Sequence, residues 1–164
     1  MPRINLQSNN RKLSVITTSL TALFGIIIFV IPLLLINIIP QSAIGNYFTT
    51  NWYFAYLLLP VILYIVITGF YYYNIKIDAY VMYIISYRTI SGLFMTKNYI
   101  EVPHDMLRHF AFFNRPFSFN KTLMLKIQDV NGKKIIKRFT LSFLSKNQEL
   151  RITNTLKDII AQNS

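Results

Sequence analysis

Residues 25–39 read GIIIFVIPLLLINII, a run without charge in which Asn37 is the lone polar side chain. Working outward, no Asp, Glu, Lys, Arg or His occurs from Leu13 to Ile75. A hydrocarbon core about 30 Å thick takes roughly 20 apolar residues of helix. The uncharged stretch holds two such segments, 13–39 and 52–73, the latter reading WYFAYLLLPVILYIVITGFYYY. Between them PQSAIGNYFTTN (40–51), with Pro40, Gly45, Asn46 and Asn51, suits a turn at the water interface. The reading is a transmembrane helical hairpin over 13–74. The first segment is longer than the roughly 7–15 residues of a signal-peptide core, and Asn37-Ile38-Ile39-Pro40 does not resemble a small-residue cleavage site, so retention is expected. Pro32 and Pro60 sit mid-span and predict kinks. Neither span carries an ionisable residue, so nothing there suggests an ion or proton path.

Of the 164 residues 53% are hydrophobic, 15% aromatic and 14% charged, and the mean hydropathy is +0.39. Soluble domains are about 25% charged, so this composition excludes a soluble monomer and an intrinsically disordered chain, and the absence of cysteine excludes a disulfide scaffold. Lys and Arg number 17 against 6 Asp and Glu, a net charge of +11. Arg3, Arg11 and Lys12 lie in the tail 1–12, the inter-helix loop has no charge, and the other basic residues follow from Lys76 onward. The positive-inside bias then places both termini in the cytoplasm. Tyr47, Trp52 and Tyr53 would mark the outer interface and Tyr71, Tyr72 and Tyr73 the inner one.

From residue 75 to 164 the pattern turns to strands rich in Tyr, Ile, Val, Thr and Phe. Runs at 80–90, 94–102 and 108–113 are broken by Ser91-Gly92, Pro103 and Asn114-Arg115-Pro116. KTLMLKIQDV (121–130) and KKIIKRFTLSF (133–143) flank Asn131-Gly132, which predicts a hairpin with a type I′ turn and positive φ at both central residues. Leu123, Leu125 and Ile127 share one face of the first strand. Ile135, Phe139, Leu141 and Phe143 share one face of the second, where Lys137 intrudes and is read as near an edge or snorkelling. Ser145 with Gln148 fits a capping box, and Ile152, Leu156, Ile159 and Ile160 form the apolar stripe of a C-terminal helix. The fold class is thus membrane α+β: tail 1–12, hairpin 13–74, and an antiparallel sheet domain 75–164 closed by a helix.

The stretch SGLFMTKNYIEVPHDML (91–107) resembles the signature of bacterial pleckstrin-homology-like membrane proteins: Gly92-Leu93, Lys97, Ile100, Val102, Pro103 and Leu107 occupy its places. Arg115-Pro116, the strand 121–130, the Asn-Gly hairpin, the final helix and the preceding pair of membrane helices are similar to the rest of that pattern. The basic cluster after Gly-Leu is thinner here, with Lys97 alone before Glu101. The resemblance implies a PH-like fold, a bent antiparallel sheet of about seven strands capped by one helix, in a multi-pass protein of the bacterial inner membrane. It also implies an accessory role, as scaffold, assembly factor or protection against membrane-active peptides and envelope stress. It carries over no binding residues.

Between Met106 and Gln148 nine residues are basic and only Asp129 is acidic. Lys121, Lys126, Lys133, Lys134, Lys137 and Arg138 form the candidate basic face, for anionic lipid or an acidic protein partner, since a basic residue near an anionic leaflet gains about 1 kcal/mol. The plainer reading is a solvated cytoplasmic face. Arg115, Phe117 and Phe119 in NRPFSFN (114–120) form a candidate contact loop, while Phe110, Phe112 and Phe113 are read chiefly as core. His104, Asp105 and His109 match no metal-ligand spacing and are read as solvated. There is no nucleophile elbow, P-loop or dinucleotide motif and no paired carboxylates, so no enzyme, cofactor, metal or nucleic-acid role is expected. A protein partner or homo-oligomer is open. The alternative function is a small subunit of a larger complex in which the hairpin is the working part.

Overall fold

The four residues ahead of the apolar segment form a strand. Leu6–Asn9 (β1) pairs antiparallel with Tyr71–Ile77 (β2), Leu6 opposite Ile77 and Asn9 opposite Asn74. The computed structural model describes residues 5–38, 43–51, 53, 60, 61, 63–65, 67–89 and 97–163. These fall into two compact units, Met1–Ser14 with Phe70–Ser164, and Val15–Gly69. The sheet unit therefore takes a strand from each side of the apolar stretch, where the sequence reading had a plain tail over 1–12 and a domain starting at 75.

Helix α1 (Arg11–Gly25), whose first turn belongs to the sheet unit, runs through a π-helical turn, Ile26–Val30, into α2 (Ile31–Ile38). Pro32 lacks the N–H that would bond the carbonyl of Ile28, and its ring crowds that carbonyl. The wider turn just before it, in which the Ile31 N–H donates to the Ile26 carbonyl, accommodates this. Polar side chains along the segment return to the carbonyl four residues back: Thr21 to Thr17 at 2.8 Å, Asn37 to Leu33 at 2.7 Å, and Thr68 to Tyr64 at 2.8 Å. This satisfies them without water. Among the described residues one helix, Arg11–Leu34, is long and apolar enough to cross a membrane, and only 6% of its most apolar window is buried within the chain. Ala43–Thr50, expected as a turn, is helix α3. Of the second expected span, residues 60, 61, 63–65, 67 and 68 are helical. Residues 54–59, with Pro40, Trp52 and the Gly92-Leu93 pair, lie outside the described residues. Gly69 stops this helix with φ +63, a left-handed conformation that glycine adopts without strain.

The span read as ending at Tyr73 gives way to β2 at Tyr71. Tyr71, Tyr72 and Tyr73 thus lie on a strand, and Tyr73, fully buried with Ile75 and Ile77 at period two, faces the core and does not mark an interface. Val81–Arg88 (β3) and Asn98–Pro103 (β4) complete a four-stranded sheet in the order β1-β2-β3-β4. A 3-10 turn, His104–Met106, leads to Leu107–Asn114 (β5), Asn120–Gln128 (β6) and Lys134–Ser142 (β7), a three-stranded antiparallel sheet. The end of β7 lies against the first sheet: the Ser86 hydroxyl donates to the Thr140 carbonyl at 2.5 Å, and the Tyr71 N–H donates to Ser142 Oγ at 2.7 Å. Helix α4 (Lys146–Gln162) closes the unit. Ser145 caps it in a complete capping box with Gln148, and Ile152, Leu156 and Ile159 are buried in the core shared with both sheets.

The β6–β7 turn differs from the expected type. Gly132 has φ +76, but Asn131 is not left-handed. The Gly132 N–H donates to the Asp129 carbonyl at 2.8 Å, and the Asp129 N–H to the Lys133 carbonyl at 2.9 Å. This is the longer hairpin loop in which an ordinary turn is followed by one left-handed residue. Only the glycine position then needs positive φ.

Candidate functional site

Asn10 sits where β1 meets the first turn of α1, and it ties the sheet unit together. Its Nδ2 donates to the Tyr71 carbonyl at 2.8 Å and to the Ser142 carbonyl at 3.0 Å, while its Oδ1 accepts the Tyr73 N–H at 2.9 Å. Ser142 Oγ in turn donates to Asn120 Oδ1 at 2.5 Å. All of these groups are drawn from the places where the chain leaves the sheet unit (Asn10), re-enters it (Tyr71), and turns at the ends of β6 and β7. Beside them, Phe70 stacks on Phe143 at 5.4 Å, and Phe143 on Phe119 at 5.6 Å. Phe143 holds φ +57, unusual for a bulky residue, and its N–H donates to the Phe119 carbonyl at 3.0 Å.

The candidate contact loop, between β5 and β6, is thus fixed at its base by an aromatic column. Its tip, Phe117, is 93% exposed with φ +54, and Phe119 is 64% exposed. Arg115 is exposed at its start. The aromatic set divides: Phe110 and Phe112 pack on the core, their rings 6.3 Å apart edge to face, whereas Phe113 is 50% exposed.

The basic candidates also divide. Strand alternation and the register bring Lys126 and Arg138 to the outer face of the three-stranded sheet, with His109 opposite Lys126, Met124 opposite Arg138, and Lys134 opposite Gln128. Ile136, 55% exposed, stands among them. Lys133 lies in the hairpin loop beside this face. Lys137, opposite the buried Leu125, is on the other face but exposed at that strand's edge, as its intrusion into the apolar pattern suggested. Lys121 is engaged, pairing with Glu149 of α4. Lys133 and Lys134 lie at the end of the β6–β7 hairpin remote from Ser142 and Asn10, so the six cations do not form one cluster.

The first sheet carries features that sequence reasoning missed. Lys76, Tyr83 and Glu101 form a cross-strand row on its outer face. Together with Asn74, Asp78 and Tyr80 they line an open cavity of about 590 Å³. Tyr83 and Tyr99 are 5.4 Å apart, and the Tyr99 hydroxyl donates to Glu101 Oε2 at 2.7 Å, a bond that raises the tyrosine's pKa. The strand runs at 80–90 and 94–102 are legible in the sequence, but the row across them is set by the pairing register, which the sequence does not show. His104, expected in solvent, is half-buried in the 3-10 turn. Its backbone N–H donates to the Tyr80 carbonyl at 3.0 Å, and burial lowers its pKa. His109 is exposed on β5. Among the described residues no group of three or more metal-ligating side chains gathers. Set against known proteins, the chain matches no family model, no curated protein and no solved structure.

Proposed function

We propose that this chain is a non-enzymatic, two-pass integral protein of a bacterial inner membrane. Its termini are cytoplasmic, and its sheet unit is a PH-like domain serving as a scaffold, assembly or envelope-protection factor. The observation that carries the topology is the pairing of β1 with β2. Strands in one sheet lie on one side of a membrane, so a chain that crosses through Arg11–Leu34 must return before Phe70. The apolar residues 52–68 supply the return. Cleavage after the first helix would strip β1 from the sheet and remove Asn10 from three hydrogen bonds, which favours an anchor over a signal sequence. Among the described residues, seven strands in sheets of four and three, closed by a C-terminal helix, fit the PH-like reading. The outer face bearing Lys126, Lys134 and Arg138 is offered to an acidic protein partner.

The natural chain has no cysteine, so single-cysteine labelling reads topology directly. In intact cells Asn46→Cys should react with a membrane-impermeant maleimide, whereas Gln7→Cys and Asn163→Cys should react only after the membrane is opened. Labelling of residue 163 from outside, or equal protection at all three positions, refutes the two-pass reading.

A further inference from the structure

We infer that the β5–β6 loop, through Phe117 and Phe119, is a wedge that seats in the interfacial layer of the bilayer. The inference rests on the membrane-spanning reading and deepens it. Four observations converge. First, the loop exposes two large aromatic rings, Phe117 at 93% and Phe119 at 64%, and contiguous exposed aromatic surface is characteristic of an interaction site. Second, Phe117 is held at φ +54. A bulky residue in the left-handed region costs about 1–2 kcal/mol, and the ring held there is directed to the surface of the sheet unit. Third, the loop is not a free arm. Phe119, Phe143 and Phe70 form a continuous column with spacings of 5.6 and 5.4 Å, and Phe70 follows Gly69, the last residue of the apolar unit. By connectivity alone, the loop belongs to the end of the sheet unit at which the apolar segment joins it. Fourth, Arg115 stands two residues before the tip, the arrangement expected where a cation meets lipid phosphates above an inserted ring.

The occupant is therefore the bilayer whose core the apolar helices span. A protein groove is the competing occupant and is an outcome of the test. The Val130 tip provides an internal control. It is 87% exposed and lies past the opposite end of β6, roughly 30 Å along the strand direction.

The test uses the full chain in nanodiscs containing anionic lipid. The native indole is removed by Trp52→Phe, and single tryptophans are introduced as Phe117→Trp, Val130→Trp and, within α1, Leu23→Trp. Lipids brominated along the acyl chain quench indoles by depth. Phe117→Trp should show blue-shifted emission and at least about a twofold loss of intensity with bromine near the headgroup end of the chain, for a ring seated about 5–10 Å into the boundary. Val130→Trp should stay red-shifted and unquenched, and Leu23→Trp should be quenched by bromine deeper in the chain. An unquenched, red-shifted Phe117→Trp beside a quenched Leu23→Trp overturns the wedge and leaves the anchor standing. Blue-shifted emission without quenching assigns the loop to a protein surface and also overturns it, as does equal quenching at 117 and 130. If Leu23→Trp is itself unquenched, the membrane-spanning reading fails first.

Discussion

Replacing Asn10 by alanine tests whether β1 is an integral part of the sheet. The side chain is buried and makes three hydrogen bonds, two given to the carbonyls of Tyr71 and Ser142 and one accepted from the Tyr73 N–H. Each net bond is worth about 1 kcal/mol, and buried partners left without one raise the loss. Asn10→Ala should therefore destabilise the sheet unit by about 3 kcal/mol. At about 4–8 °C per kcal/mol for a unit of this size, Tm should fall on the order of 15 °C, read by circular dichroism of the full chain in detergent. Asn10→Asp should be worse, because its carboxylate would face two carbonyls. Asn9→Ala is the control. Its side chain accepts one exposed bond from the Arg11 N–H at 3.3 Å, so the loss should stay under about 1 kcal/mol. Hydrogen exchange at Tyr73 should accelerate in Asn10→Ala and not in Asn9→Ala. If the two variants melt together within about 2 °C, a difference well below 1 kcal/mol, β1 is dispensable and the topology argument built on it collapses.

Gly132→Ala should cost about 1 kcal/mol from its φ of +76 alone, because an added Cβ meets nothing within 4 Å. Asn131→Ala should be near neutral, and equal losses in denaturant melts would restore the type I′ turn. Ser145→Ala should lose about 1 kcal/mol of helix capping. Gln148→Ala should lose at least as much, since the same Oε1 also accepts from the Tyr73 hydroxyl at 3.4 Å; a smaller loss for Gln148→Ala in thermal melts would contradict this. Burial lowers the His104 pKa below the ordinary histidine value of 6.5. The folded state therefore binds the proton less readily than the unfolded one, so its contribution is present above pH 6.5 and lost as pH falls toward the folded pKa. His104→Gln should flatten the stability profile across that window, and an unchanged slope would show that another group carries it.

What could be read in the chain is what local chemistry dictates. The Ser145–Gln148 box needs four residues, the stripe Ile152, Leu156 and Ile159 needs two turns, and alternation at Leu123, Leu125 and Ile127 needs one strand. Each was placed correctly because no distant partner decides it. β1 was not legible: LQSN is too short to show a period, and its partner begins 61 residues beyond Asn10. Tyrosine suits both a membrane interface and a half-buried strand, so residue type alone does not decide Tyr71–Tyr73, and the inward facing of Tyr73 depends on its pairing with Ser86. The turn at Asn131-Gly132 was recognised, but its loop length was set by the register of Gln128 with Lys134. In the candidate site, residue types predicted the cations but not their division, because facing depends on a pairing register that six side chains in sequence do not reveal.

The separation of β1 from β2 also bears on biogenesis. A ribosome making this chain releases Leu6–Asn9 early and must then deliver the whole greasy insert before the first hydrogen-bonding mate emerges. The leading strand waits unpaired throughout, and anything fused ahead of it that keeps those residues from Tyr71–Ile77 would leave the sheet without its first member. Reporter fusions are accordingly better borne at the carboxyl end.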